Sequence, residues 1–243
     1  MARGQPDYDN PDLTVAVNKT DTGFLFPSLN GFSPVDSRGR IIWFDDFRNG
    51  LTRWIKESDA GGGTPYHYYA DGFANGYNGS VLFDPIVNGG LSGMYIQNII
   101  EFSKIMGIEV ALYMPTNSGR PRVTFQVARD GGSSYTTYFV INPTTGAIAV
   151  SISGGEQTIT TPSNIDHIRN RWISIKLVAD FDTGKLVRLF VGNNLFDISA
   201  YSMAAGVSGY KGYLVSEITA DATSATNKQP VYLGNVIITG DEP

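Results

Sequence analysis

The chain has 243 residues, 42% hydrophobic and 17% charged, with a formal net charge of −5 and no cysteine. It is long enough to bury one sandwich core without disulfides and too apolar for a disordered polyanion, and its acidic balance opposes nucleic acid as the main partner. The missing thiols remove disulfides, thiolate nucleophiles and cysteine zinc sites, and no apolar run approaches the roughly 18 residues that span a bilayer.

Residues 1–40 stand apart. They hold Pro6, Pro11, Pro27 and Pro34, no sustained alternation or helical period, and one tight apolar cluster, Phe24-Leu25-Phe26. Such a segment buries too little surface to order itself, so it reads as an extended N-terminal arm. Phe24, Leu25 and Phe26 are its candidate interface anchor, each contributing roughly 1.5–3 kcal/mol if buried in a neighbouring subunit or partner protein. The first ten residues are polar and lack the apolar stretch of a secretory signal. The expected location is therefore the virion, or the cytoplasm before release. The sequons at Asn18 and Asn78 read as chance.

The body, residues 41–243, reads as strand, turn, strand. Segments 41–47 and 51–57 flank the turn-like Asn49-Gly50, and a Gly- and Tyr-rich loop covers 60–80. Strands are then expected at 81–83, 93–98, 108–114, 122–129, 135–142, 147–152, 157–160, 172–181, 186–191, 213–219 and 231–239. Asp130-Gly131-Gly132, Asn142-Pro143-Thr144-Thr145-Gly146 and Asp182-Thr183-Gly184 supply turn chemistry between them. In 108–114, Ile108, Val110, Leu112 and Met114 oppose Glu109, Ala111 and Tyr113; in the next strand, Val123, Phe125 and Val127 oppose Arg122, Thr124 and Gln126. In 172–181, Ile173, Ile175, Leu177 and Ala179 oppose Ser174, Lys176 and Asp180. This alternation predicts half-solvated antiparallel sheets. Residues 101–106 and 165–169 are each long enough for one helical turn, and the lack of a long helix excludes βαβ architectures.

Three groups of residues are candidates for chemistry. Tyr66, Tyr68, Tyr69, Phe73 and Tyr77, with His67 among them, offer rings that stack on sugars or fill a protein interface; the competing reading is a loop folded over the core edge. Glu109 and Glu217 are the strand-interior glutamates to weigh as a hydrolytic pair, against the plainer reading of two solvated strand carboxylates. Asp45, Asp46 and Asp241 become neighbours if the first and last strands pair, which makes calcium the one cofactor candidate. His67 and His167 have no ligand spacing, and no nucleophile-elbow pattern is present. Trp43, Trp54 and Trp172 lie in expected strands and read as core.

Three segments carry a family likeness: Phe44-Asp45-Asp46-Phe47 with Gly50-Leu51 and Trp54; Trp172 through Val178 with Asp180 and the Asp182-Thr183-Gly184 turn; and Val231 through Ile238. With these the body resembles the concanavalin A-like jelly rolls, the group of laminin-G-like, lectin and glucanase domains. The resemblance implies an all-β, two-sheet antiparallel jelly-roll sandwich in which the strands at 41–47 and 231–239 pair. Laminarinase-type glucanases carry a Glu-x-Asp-x-Glu strand, and this sequence has none. A sandwich with a short polar arm, no cysteine and no signal peptide also resembles proteins of tailed-phage particles, as does the opening Ala2-Arg3-Gly4-Gln5-Pro6-Asp7. The expectation is a non-enzymatic structural or assembly protein of a virus-like particle, a capsid decoration or tail component. Its partners would be other copies of itself or virion proteins. A carbohydrate-binding module for surface glycans is the alternative, and a glycan hydrolase comes third.

Overall fold

The computed structural model describes residues 39–47, 50–58, 63–68, 80–85, 90–98, 103–128, 133–162, 168–207, 212–222 and 229–243. Phe24, Leu25 and Phe26 of the arm, and Tyr69, Phe73, Tyr77 and His167, lie outside the described residues. The first eight strands are β1 (Arg40–Asp45), β2 (Ile55–Ser58), β3 (Tyr66–Tyr68), β4 (Ser80–Phe83), β5 (Leu91–Asn98), β6 (Ile105–Tyr113), β7 (Arg120–Ala128) and β8 (Ser133–Ile141). The rest are β9 (Ile148–Ile152), β10 (Gly155–Thr160), β11 (Trp172–Asp180), β12 (Lys185–Val191), β13 (Asn194–Asp197), β14 (Ala204–Val207), β15 (Tyr213–Asp221) and β16 (Val231–Gly240). Among the described residues there is no helix.

The strands form two antiparallel sheets packed face to face, the jelly-roll sandwich that the sequence implies. The first sheet runs β13-β12-β11-β6-β16-β4-β3, and β1 lies beside β16 along the edge that β4 also uses. The second runs β10-β9-β8-β7-β15-β5-β2, with β14 paired to β8. The opening and closing strands are adjacent, Ile41 opposite Thr239 and Asp45 opposite Val236. Between the sheets the inward residues of β6 (Ile108, Val110, Leu112) share one core with those of β7 (Val123, Phe125, Val127) and β15 (Leu214, Ile218). Phe125 and Phe181 meet edge to face at 5.0 Å, the arrangement aromatic quadrupoles favour. The β11–β12 hairpin is set by its turn: the Asp180 carboxylate accepts from the Asp182 and Thr183 amides and the Thr183 hydroxyl, and Gly184 takes φ +71°.

Several local expectations need correction. Residues 105–106, expected in a helical turn, open β6, and the 60–80 loop contains β3. The strand expected at 51–57 is a turn followed by β2: Trp54 N–H donates to the Leu51 carbonyl, and Gly50 takes φ +76°. Trp54 is buried, with its indole N–H on the Asp45 carboxylate at 3.0 Å, and Trp43 packs edge-on against it at 5.3 Å. Trp172 is not core. It stands half-buried on the outer side of the first sheet, against Tyr113 at 5.8 Å.

The largest departure is that the first sheet is not half-solvated. β6 and β11 each carry seven consecutive buried residues, and all ten of β16 are buried. Its outward charges are neutralised rather than hydrated. Lys176 Nζ lies 2.7 Å from the Glu242 carboxylate, which also takes Arg188 and the Thr239 hydroxyl, and both side chains of the Lys176–Glu242 pair are 0% exposed. Gly107 leaves the space for this cluster, since a Cβ there would fall 2.7 Å from Thr239 Oγ1 and 3.0 Å from Lys176 Cε.

Candidate functional site

The second sheet presents a different outer face. Because Leu214 and Ile218 point into the core, the alternation of β15 turns Glu217, Thr219 and Asp221 outward. Register then assembles two rows. In the first, Glu217 lies between Tyr95 of β5 and Thr124 of β7, with Ile55 beyond Tyr95 and Tyr138 beyond Thr124. In the second, Thr219 lies between Gly93 and Arg122, with Glu57 and Val140 at the flanks; Asp221 and Arg120 pair one step further along.

Tyr95, Tyr138, Arg120, Arg122, Glu217 and Asp221 are half-buried, while Glu57 and Glu156 are exposed. Burial pushes the Glu217 carboxyl above its ordinary range, and the Glu57 carboxylate pushes it the same way; a hydrogen bond with Thr124 and the Arg122 charge oppose them. No side chain intervenes between the two glutamates at Gly93, where a Cβ would fall 2.6 Å from the Thr219 methyl. Asp221 is also raised, again mainly by burial, against the pull of Arg120 and Arg122.

A bar of side chains crosses the tyrosine side of this face. Arg120 Nη2 donates to both carboxylate oxygens of Glu156 at 2.7 Å, bridging from β7 over β8 and β9 to β10. The Tyr138 hydroxyl donates to Glu156 Oε1 at 3.2 Å, and the Arg122 guanidinium sits 4.8 Å from the centre of the Tyr138 ring. Tyr138 is thus held at both its hydroxyl and its ring. Two half-exposed rings on either side of a carboxylate–hydroxyl pair offer an apolar face for sugar C–H groups and polar atoms for sugar hydroxyls.

The candidates named from sequence scatter. Glu217 belongs to this face, but Glu109 lies on the outer side of the first sheet, 2% exposed. The sandwich separates the two, so they do not form a hydrolytic pair, and Glu109 is not a solvated carboxylate. Asp45, Asp46 and Asp241 do not converge either. Antiparallel register sets Asp45 against Val236, while Asp241 lies beyond the opposite end of β1, its carboxylate 3.0 Å from Arg40 Nε. Asp45 already accepts from the Phe47 amide at 2.8 Å and from Trp54, and it lines a small cleft with Phe44, Asp46, Gly50, Thr52 and Arg53. Among the described residues, no three His, Asp or Glu side chains gather to hold a metal ion. The backbone of Tyr66, His67 and Tyr68 forms β3, opposite β4 at the end of the first sheet.

Sequence reasoning passed over Glu57, Tyr95, Arg120, Tyr138, Asp221 and Glu156 as site residues. The available signal was the polar side of β7 and of β15, but only the sheet order makes those strands neighbours.

No protein-family model matches the chain, and no curated protein sequence matches it. Solved structures match it in fold. A Bacillus subtilis protein of unknown function with a galectin-like fold is 9% identical, with 84% of this chain and 97% of that one covered and a TM-score of 0.51. The carbohydrate recognition domain of Emp46p, in its potassium-bound form, is 9% identical over 80% of this chain and 92% of that one, at 0.49. Alginate lyase vAL-1 from a Chlorella virus is 12% identical over 83% and 100%, also at 0.49. At these identities the likeness concerns fold alone, and the first of them shows that the chain folds as a galectin-like β-sandwich.

Proposed function

We propose that the protein is a non-catalytic carbohydrate-binding module that lays a glycan across the outer face of the second sheet. The observation that carries this is the row Tyr95–Glu217–Thr124–Tyr138, two rings bracketing a carboxylate–hydroxyl pair, with Tyr138 fixed before any ligand arrives. The test is retention on a panel of immobilised glycans. Wild type should be retained on at least one, and Tyr95→Ala and Tyr138→Ala should elute early while remaining folded. Retention unchanged by both substitutions would refute the assignment.

A hydrolytic reading draws on Glu217, whose raised carboxyl suits a general acid. Glu57, the carboxylate that presses on it electrostatically, is exposed on the short edge strand β2, a poor place to tune a nucleophile. Wild type should therefore release no reducing sugar from a glycan it binds. Release that disappears in Glu217→Gln would replace binding with cleavage. The assembly role in a virus-like particle is a separate proposal resting on the sequence of the arm, residues 1–40. Removing them should abolish higher-order assembly seen in sedimentation, and unchanged assembly would end that role.

A further inference from the structure

We infer that the tyrosine-flanked face selects uncharged glycans over polyanionic ones, and that Glu156 enforces the choice by occupying Arg120. This rests on the carbohydrate-binding reading above and adds the ligand class. Among the described residues of the face, the carboxylates of Glu57, Glu156, Glu217 and Asp221 stand against the guanidiniums of Arg120 and Arg122. A uronate or sulfated sugar is captured through a guanidinium with N–H groups to give. Arg120 has committed Nη2 to both oxygens of Glu156 at 2.7 Å. Arg122 leans on the Tyr138 ring at 4.8 Å and sits opposite Thr219, so Glu217 and Asp221 flank it diagonally on β15. An anion approaching either cation enters the field of these carboxylates, and like charges on a half-desolvated face repel.

An uncharged sugar meets no such barrier and finds Tyr138 already positioned. Glu156 contributes twice, cancelling Arg120 and accepting from the Tyr138 hydroxyl at 3.2 Å. It is a specificity residue. It lies on the edge strand β10 and is exposed, so its replacement leaves the core untouched.

The experiment is titration calorimetry at constant ionic strength with uncharged hexasaccharides (cellohexaose, laminarihexaose and mannohexaose) and with hexagalacturonate. Wild type should bind at least one uncharged hexamer and bind hexagalacturonate at least about tenfold more weakly, a gap of about 1.4 kcal/mol. Glu156→Gln should raise the ratio of hexagalacturonate affinity to uncharged-hexamer affinity by about tenfold. Adding Arg120→Gln should erase that gain, which a general change in surface charge would not do. Equal wild-type affinity for charged and uncharged hexamers, or no gain in Glu156→Gln, would overturn the selectivity while leaving carbohydrate binding in place. Binding of none of the hexamers, together with no retention on the glycan panel, would remove both.

Discussion

The two outer faces of this sandwich use charge in opposite ways. On the first sheet, Lys176, Arg188 and Glu242 are sealed, with side-chain exposures of 0%, 7% and 0%. On the second, Arg120 and Glu156 meet in a pair whose side chains remain 26% and 36% exposed, among half-buried tyrosines. Both faces come from strands with the same alternating pattern. A sealed ion cluster has satisfied its partners internally and has nothing left for a ligand, whereas a half-open one keeps polar atoms within reach of one. Polar residues on a strand therefore mark a binding face only where the sheet leaves them accessible.

The comparison breaks most sharply at Glu242. Glu242→Ala removes the carboxylate that Lys176 and Arg188 share in a buried site and should cost about 3–5 kcal/mol in urea denaturation. The Arg40–Asp241 pair, with side chains 54% and 59% exposed, is the control; Arg40→Ala should cost under about 1 kcal/mol. Gly107→Ala comes next, because its methyl would press on Thr239, Lys176 and Glu242 together; about 1–3 kcal/mol is expected by the same measurement. On the open face stability should barely respond, and binding should. Tyr95→Ala should weaken binding of the best uncharged hexamer by about 3- to 10-fold, the range that one aromatic contact supplies.

The smallest effect is a pH signature. The Glu217 carboxyl is raised in the folded protein above its ordinary value of 4.5, so its contribution is fully present below that value and is lost as pH rises through the folded one. Asp221, raised above 3.8, acts in the same direction. Glu217→Gln removes a half-buried charge repelled by Glu57 and keeps a hydrogen-bonding group for Thr124. It should melt slightly above wild type at neutral pH, with the gap closing as pH falls toward 4.5. A gap that widens on acidification would contradict the burial of that carboxyl.

Much of the framework is legible in the amino-acid sequence. Period-two alternation exposes β6, β7 and β11, and Asp-Thr-Gly chemistry marks the β11–β12 turn. The short strands β13 (Asn194–Asp197) and β14 (Ala204–Val207) escape, since four residues such as Ala-Ala-Gly-Val carry neither alternation nor β-branched density. Lys176 reads as solvent-facing because its partner Glu242 lies beyond β16, and no periodicity announces a contact so distant in sequence. The aspartate cluster fails on direction alone. The expected antiparallel pairing, read through, carries Asp241 to Arg40, five residues or roughly 17 Å of strand from Asp45. The candidate face needs sheet order, because β15 is brought between β5 and β7 only by the jelly-roll path.

The most direct measurement is an NMR titration of the full chain with the tightest-binding uncharged hexamer, following the backbone amides of both sheets. The account predicts shifts at outward positions of the second sheet, Tyr95, Thr124, Tyr138 and Glu217, with the β6, β11 and β16 amides unmoved. Shifts confined to the first sheet, or spread around Asp45 and Arg53 instead, would contradict it.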